Sequence, residues 1–268
     1  MMYKPLSTRI PARKKKAMMD RNEMVTKVPA ITLGFWIIKI AATTLGETGG
    51  DAVSMSLGLG YLLATAIFGI VFVAAVMAQI AARRFQPWLY WLTIVATTTV
   101  GTTLADFADR SLGIGYPGGA SLLLVLLLAS LLAWKLTLGS ISVESIATTK
   151  AEIFYWATIM CSQTLGTALG DWTADSAGFG YAGSALVFGA LLILVVCGHF
   201  FTRISRTTLF WIAFVLTRPL GAVLGDFLDK PHEHGGMALS RFTVSLLLLA
   251  FMAACIVLLP QRAAERAH

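Results

Sequence analysis

Residues 27–51 read KVPAITLGFWIIKIAATTLGETGGD. This is an apolar stretch of membrane-spanning length that ends in glycines and carboxylates. The 19 residues from Thr32 to Asp51 cover roughly 29 Å as a helix at about 1.5 Å per residue. Three later stretches repeat its punctuation. Trp36, Trp91, Trp156 and Trp211 each precede a glycine by ten residues: Gly46, Gly101, Gly166 and Gly221. Five residues further on stand Asp51, Asp106, Asp171 and Asp226, and nine beyond those Gly60, Gly115, Gly180 and Gly235. Tyr61, Tyr116 and Tyr181 follow at once in the first three units. Chance does not set Trp, Gly, Asp and Gly at fixed offsets four times, so the chain is an internal repeat. The glycine spacings of 55, 65 and 55 residues group the units into two halves.

Composition identifies the solvent around these units. Of 268 residues 57% are hydrophobic and only 13% are charged, against about 25% charged in a soluble domain. Such a chain cannot coat a water-facing surface, and mean hydropathy is +0.75. Apolar runs lie at about 31–50, 61–82, 87–106, 118–138, 152–171, 181–202, 207–226 and 238–259. None alternates as the strands of a membrane barrel do. The expected fold is therefore all-α: a polytopic integral membrane protein with eight transmembrane helices, arranged as four two-helix repeats in two pseudo-symmetric halves. Residues 1–27 form a basic cytoplasmic tail, 28–140 the first half, 141–260 the second, and 261–268 a cytoplasmic C-terminal tail. With two spans per unit, all four units point the same way, as parallel repeats.

The net charge is +7. Lys4, Arg9, Arg13, Lys14, Lys15, Lys16, Arg21 and Lys27 fill the N-terminal tail, and Arg83, Arg84, Lys135, Lys150, Arg203, Arg206, Arg262 and Arg266 fall on the same side. That asymmetry puts both termini in the cytoplasm and turns the aspartate segments outward. It also reads the basic tail as an orientation signal beside lipid, with no nucleic-acid partner. Arg110, Lys230 and Arg241 fall on the opposite side. Cys161, Cys197 and Cys255 sit in apolar runs and are expected to pack in the core.

The motif segments TTLGETGGD (43–51), TVGTTLADFAD (99–109), QTLGTALGDWTAD (163–175) and RPLGAVLGDFLD (218–229) each hold at least two carboxylates. Glu47/Asp51 and Asp171/Asp175 are four apart, and Asp106/Asp109 and Asp226/Asp229 three apart, spacings that share a helix face. Like charges at that distance invite a cation or a shared proton. Asp51, Asp106, Asp171 and Asp226 are the expected cation ligands. Glu47, Asp109, Asp175 and Asp229 assist them, and Thr44, Thr102, Gln163 and Thr167 supply supporting polar groups. Gly46/Gly50, Gly166/Gly170 and Gly221/Gly225 form small-xxx-small pairs, with Gly101/Ala105 a near match, and bring helices close. Lys39 and Arg218 lie within spans and are the expected coupling or counter-charge groups of the carboxylates. Pro219 is expected to kink or open the seventh helix. A plain reading stands beside this one: a Gly/Asp segment after a span also makes a capped, water-exposed turn.

Oxygen ligands suit Mn²⁺, Mg²⁺ or Ca²⁺ as a transported cation, with no resident cofactor. Thioethers of Met55 and Met160 would favour Mn²⁺. His232, Glu233 and His234 form an outer loop able to sense protons or a metal. There is no GxSxG, P-loop or HExxH, so an enzyme is not expected. The motifs fit a secondary transporter of a small cation, possibly proton-coupled export. The alternatives are a channel with a four-aspartate ring, a membrane scaffold, or a carrier of a small organic solute. The sequence assigns no oligomeric state.

KVPAITLGFWIIKIAATTLGETGGD and its echoes GTTLADFAD, SQTLGTALGDWTAD and RPLGAVLGDFLD resemble a bacterial family of uncharacterised membrane-anchored proteins, built from four copies of a repeat of unknown function. The resemblance covers about residues 27–259. It implies a multi-span protein of the bacterial inner membrane and transfers no site residues. A looser similarity exists to manganese and calcium exporters with paired acidic motifs, whose ExGD spelling differs from ETGGD here.

Overall fold

The structure is a computed structural model that describes residues 26–143, 146 and 148–264. The basic tail through residue 25 and the last four residues lie outside the described residues. Eight long α-helices follow one another: α1 (Leu33–Asp51), α2 (Gly60–Ala81), α3 (Pro87–Asp106), α4 (Tyr116–Leu138), α5 (Thr149–Asp171), α6 (Gly180–Phe201), α7 (Arg206–Asp229) and α8 (Arg241–Leu258). No β-strand occurs among the described residues, only an isolated bridge between Pro29 and Ala263. The odd helices start where the sequence offers a cap. The Thr32, Thr148 and Ser205 hydroxyls accept from Phe35 N, Ala151 N and Thr208 N at 3.1–3.2 Å, and Pro87 opens α3.

The odd helices close a ring, α1 on α3, α3 on α5, α5 on α7 and α7 back on α1. Each even helix packs outside on the odd helix of the following unit. Thus α2 lies on α3, α4 on α5, α6 on α7, and α8 completes the circle on α1. The two halves of the sequence leave no seam in this packing, because α3 meets α5 and α1 meets both α7 and α8.

Glycine makes the ring possible. A Cβ on Gly46 would overlap Thr98, one on Gly101 would meet the Gln163–Thr164 backbone, one on Gly166 would overlap Arg218, and one on Gly221 would overlap Thr43. The rule is the same each time: the glycine of one unit receives the residue three before the glycine of the next. Thr98 Oγ1 then donates to Ala42 O, and Thr43 Oγ1 to Thr217 O, both at 3.2 Å, which ties neighbouring backbones together.

The tryptophan end closes by a second cyclic contact. Phe35–Trp36, Tyr90–Trp91, Tyr155–Trp156 and Phe210–Trp211 are four edge-on aromatic pairs. The first ring of each meets the tryptophan of the next unit: Phe35–Trp91 at 5.5 Å, Tyr90–Trp156 at 5.8 Å, Tyr155–Trp211 at 6.4 Å and Phe210–Trp36 at 5.8 Å. The chain ends meet at this same end, where Ala30 N donates to Arg262 O and Ala264 N to Val28 O.

After their aspartates the first three odd helices widen into one π turn, Ala52–Ser56, Phe107–Ser111 and Trp172–Ser176. Gly58 and Gly60, Gly113 and Gly115, and Gly178 and Gly180 then take φ between 64° and 75°, the left-handed region that makes glycine the residue of choice in the reversal to the even helix. α7 has no π turn and runs unbroken through Pro219, contrary to the expected opening.

Polarity is inverted relative to a soluble protein. α2, α4, α6, α7 and α8 are long and apolar enough to cross a membrane by length and composition. The even helices present side chains such as Leu62, Ile70, Val125, Leu186 and Leu246 outward. Cys197 is exposed on that surface, not in the core as expected, while Cys161 and Cys255 are half-buried. α1, α3 and α5 carry buried threonines and acids inside the sheath.

The ring contact predicts a test. Gly46→Ala places a methyl against Thr98, where neither backbone can retreat, and should destabilise the purified protein by about 1–3 kcal/mol. Gly69→Ala, within α2 and with nothing within 4 Å, should hold or slightly raise the thermal unfolding midpoint, because alanine is the better helix former.

Candidate functional site

Along the inner face of each odd helix, every fourth residue points to the common axis, the ridge that close helix packing uses. The result is five buried layers of four residues. From the aromatic end they are Phe35/Tyr90/Tyr155/Phe210, then Lys39/Ile94/Ile159/Phe214, then Thr43/Thr98/Gln163/Arg218, then Glu47/Thr102/Thr167/Ala222, and last Asp51/Asp106/Asp171/Asp226. Every member is at most 5% exposed.

The aspartate layer brings one buried carboxylate from each unit together, joined in two pairs by basic side chains. The chain supplies its own cations to this ring. Lys230 Nζ lies 2.5 Å from Asp51 Oδ2 and 3.1 Å from Asp226 Oδ1. Arg110 Nε lies 2.9 Å from Asp106 Oδ1, and its Nη2 3.6 Å from Asp171 Oδ2. These partners were not anticipated as site residues. Their signal was present, since Arg110 and Lys230 each stand four residues after a ring aspartate.

One layer below, the Arg218 guanidinium fills the axis, fully enclosed. Its Nη1 and Nη2 both donate to Glu47 Oε2 at 3.0 Å. Nη2 also donates to Thr102 Oγ1 at 2.6 Å and Thr167 Oγ1 at 2.5 Å. Arg218 therefore engages that layer's member from each of the other three units, and its own unit contributes the small Ala222. Thr102 Oγ1 is also within hydrogen-bond distance of Glu47 Oε2, at 3.2 Å.

The remaining expected site residues divide. Asp229 pairs with Arg241 Nε at 3.0 Å, beside the ring; the same nitrogen is 3.8 Å from Asp51 Oδ2. Asp109 is buried against Gly119 of α4, and neither of its oxygens has a hydrogen-bond partner. Asp175 is exposed, with Tyr116 OH 3.4 Å from its Oδ2. Thr44 turns to its own helix and donates to Ile40 O. Gln163 lies on the axis, with neither its amide oxygen nor its nitrogen hydrogen-bonded. Lys39 meets no carboxylate; its Nζ sits 4.3 Å above the Phe214 ring. The second glycines act as the first do: Gly50 packs on Thr102, Gly170 on Ala222 and Gly225 on Glu47. Met160 lines an apolar outer groove with Phe72, Met77 and Leu104, and Met55 is half-buried in a π turn. His234 and Glu233 are exposed in a 3₁₀ turn.

Chemically, the upper column can hold positive charge. Glu47, Asp51 and Asp226 each bring one oxygen to within 4.8 Å of the others, all three buried. Around the axis, Glu47 and the four ring aspartates face Arg110, Lys230 and Arg218. These five acids outnumber the three cations that face them by two, and Lys39, two layers below Glu47, meets none of them.

Fold and site together define a class: an all-helical bundle of four repeats around one axis, apolar outside and charged within. The chain belongs to the family described as Repeat of Unknown Function (DUF347), whose model matches residues 34–85, 89–139, 154–205 and 209–262, each time opening two residues before the repeated tryptophan. No curated protein and no solved structure matches the chain.

The guanidinium clamp carries its own test. Arg218→Leu strands Glu47 in the enclosed axis and should cost about 3–5 kcal/mol of stability, whereas Arg218→Leu with Glu47→Gln should recover most of it. Thermal unfolding of the two single variants and the double variant, purified in detergent, measures the coupling.

Proposed function

We propose that the chain is a multi-pass protein of the bacterial cytoplasmic membrane in which all eight long helices cross the bilayer. The carboxylate end of its column takes a small hard cation, most plausibly divalent, and the protein carries it across in exchange for protons. The observation that carries this reading is the enclosed triad of Glu47, Asp51 and Asp226, at the end of the column where five acids face three cations. One divalent cation, or two protons, neutralises the excess of those acids over the cations that face them. A low-dielectric enclosure penalises any state that leaves such charge unmatched, so binding one species promotes release of the other.

The sheath of apolar even helices supports a lipid surround, with α1, α3 and α5 inside it. Among the described residues Lys27, Arg83, Arg84, Lys135, Lys150, Arg203, Arg206 and Arg262 gather at the aromatic end, which supports cytoplasmic termini. The filled column, with Arg218 at mid-height and eight aromatic rings at one end, suits an occluded carrier better than an open channel. The all-oxygen triad gives no preference for manganese, because neither Met55 nor Met160 belongs to it. A second reading rests on Lys230, Arg110 and Arg241, which already pair with the acids: the ring would then be a structural ion-pair lock in a scaffold.

Reconstitution in liposomes with a pH dye inside separates the two. Uptake of Mn²⁺, Mg²⁺ or Ca²⁺ with opposing proton flux is expected. Asp51→Asn and Asp226→Asn should each lower it at least about tenfold, and Asp175→Asn, outside the column, should leave it unchanged. Absence of flux for every ion tested, K⁺ included, in protein of native thermal stability establishes the scaffold reading.

A further inference from the structure

The two aspartate pairs are held by different kinds of cation. Arg110 spans Asp106 and Asp171, and its guanidinium also lies 5.9 Å from the centre of the Tyr116 ring. Lys230 spans Asp51 and Asp226 through a single ammonium, 2.5 Å from one and 3.1 Å from the other. Neither Asp106 nor Asp171 belongs to the buried triad, whereas Asp51 and Asp226 are two of its three members. A cation of the chain therefore stands between the acids that could ligate a free one. It does not use all they offer. Asp51 Oδ1 is enclosed and has no hydrogen-bond partner, an acceptor that a buried site does not leave idle without cost.

The root of Lys230 is fixed, and its side chain reaches the surface. Its N–H donates to Asp226 O, and its carbonyl accepts from Ala238 N, both at 2.9 Å. Gly236 packs so closely on that carbonyl that a Cβ there would overlap it. The side chain is 11% exposed, against 1–3% for the two acids it joins. An outward swing of the side chain therefore breaks two ion-pair contacts and no backbone hydrogen bond. The neighbouring cations are anchored elsewhere. Arg241 is held by Asp229 Oδ2 at 3.0 Å and Ser56 Oγ at 3.2 Å, and Arg218 by Glu47, Thr102 and Thr167.

We propose that Lys230 is a tethered competitor that sets the specificity of the cation site: it occupies the Asp51–Asp226 pair until a divalent cation displaces it. This rests on the cation-binding reading and names the residue that selects among cations there. A side chain rooted a few bonds from its acceptors competes as though present at millimolar concentration or above. A monovalent cation in its place brings the same charge and gains nothing by the exchange. A divalent cation brings one charge more to an end of the column where five acids face three cations. It also draws on Glu47 and on Asp51 Oδ1, which the ammonium leaves unused.

The test uses the full-length protein purified in detergent. In calorimetric titrations with MnCl₂, Lys230→Met and Lys230→Gln should each bind Mn²⁺ about tenfold more tightly than wild type. Excess K⁺, at constant ionic strength, should weaken that binding in both variants and leave wild type unaffected. Arg110→Met removes the same charge from the other pair; it should tighten binding less and keep K⁺ excluded. In wild type itself, acetylation of Lys230 by an amine-reactive reagent, read by mass spectrometry, should accelerate when Mn²⁺ is added, while that of Lys135, exposed on α4, stays constant. Where wild type binds Mn²⁺, three results each overturn the assignment and leave the cation reading standing: Lys230 labelling that Mn²⁺ does not accelerate, Lys230 variants that bind no more tightly, or an equal effect of Arg110→Met. Absence of Mn²⁺ binding in wild type and in both Lys230 variants defeats the cation reading, and with it the role of Lys230.

Discussion

Charge enclosed in this bundle must be neutralised inside it, because the sheath of even helices keeps water and counter-ions away from the column. That constraint organises the structure from the axis outward. Each acid layer is met by a basic side chain that the chain itself supplies: Lys230 and Arg110 on the aspartate ring, and Arg218 on Glu47. Among the described residues of the column, the one basic group without an acid, Lys39, sits over a phenyl ring. An apolar exterior and a polar interior are two sides of one requirement: in the lipid surround we propose, ionised groups have no better place than the centre.

Fourfold repetition builds the column and departures from it give the column its chemistry. Trp, Gly and Asp recur because they do work that every unit needs: rings that close one end, space for the neighbour's side chain, a place in the acid ring. The two layers between are where the copies diverge, and the divergences fit one another. Arg218 replaces the threonine of the first two units and reaches into the next layer, where Glu47 balances it, Thr102 and Thr167 accept from it, and Ala222 leaves it room. Gly166, beside the Arg218 stem, tolerates it only because it lacks a Cβ. Threonine in each position would put no charge at mid-column, so Arg218 and Glu47 are matched to each other.

Much of this was legible in the residues. The Trp–Gly–Asp offsets locate the odd helices to within a few residues, and the glycine pairs foretell their close approach. Arg218 was expected as a counter-charge, and Glu47 holds it. What sequence spacing leaves open is which unit touches which. The rule that each glycine receives the following unit's side chain, and that each even helix crosses to the following odd helix, depends on the direction in which the ring closes. For the same reason Asp175 was grouped with Asp171 on spacing, although it is exposed while Asp171 is enclosed. Lys39 was expected among carboxylates, but it stands two layers below Glu47, with its Nζ over the Phe214 ring. Arg110 and Lys230 were read as loop charges for orientation, because position in the chain says nothing of a reach back over the helix end.

The two ends of the column differ in what it would take to open them. At the aromatic end, eight interlocked rings and the paired terminal segments would have to part together. At the acid end, three basic side chains, Arg110, Lys230 and Arg241, lie against the ring aspartates. Arg110 is one-third exposed and sits on a π turn, and Lys230 lies just past the end of α7. A side-chain movement at Lys230 uncovers Asp51 and Asp226, two of the triad that could ligate a cation, without disturbing the helix ring. In the carrier we propose, a cation arriving there would compete with an ammonium of the protein itself. Ion pairs that hold the ring shut in the absence of a ligand are therefore compatible with a binding site. They would also set its selectivity, because a newcomer must displace Lys230 from two carboxylates, and a cation of higher charge density does so more readily than a monovalent one.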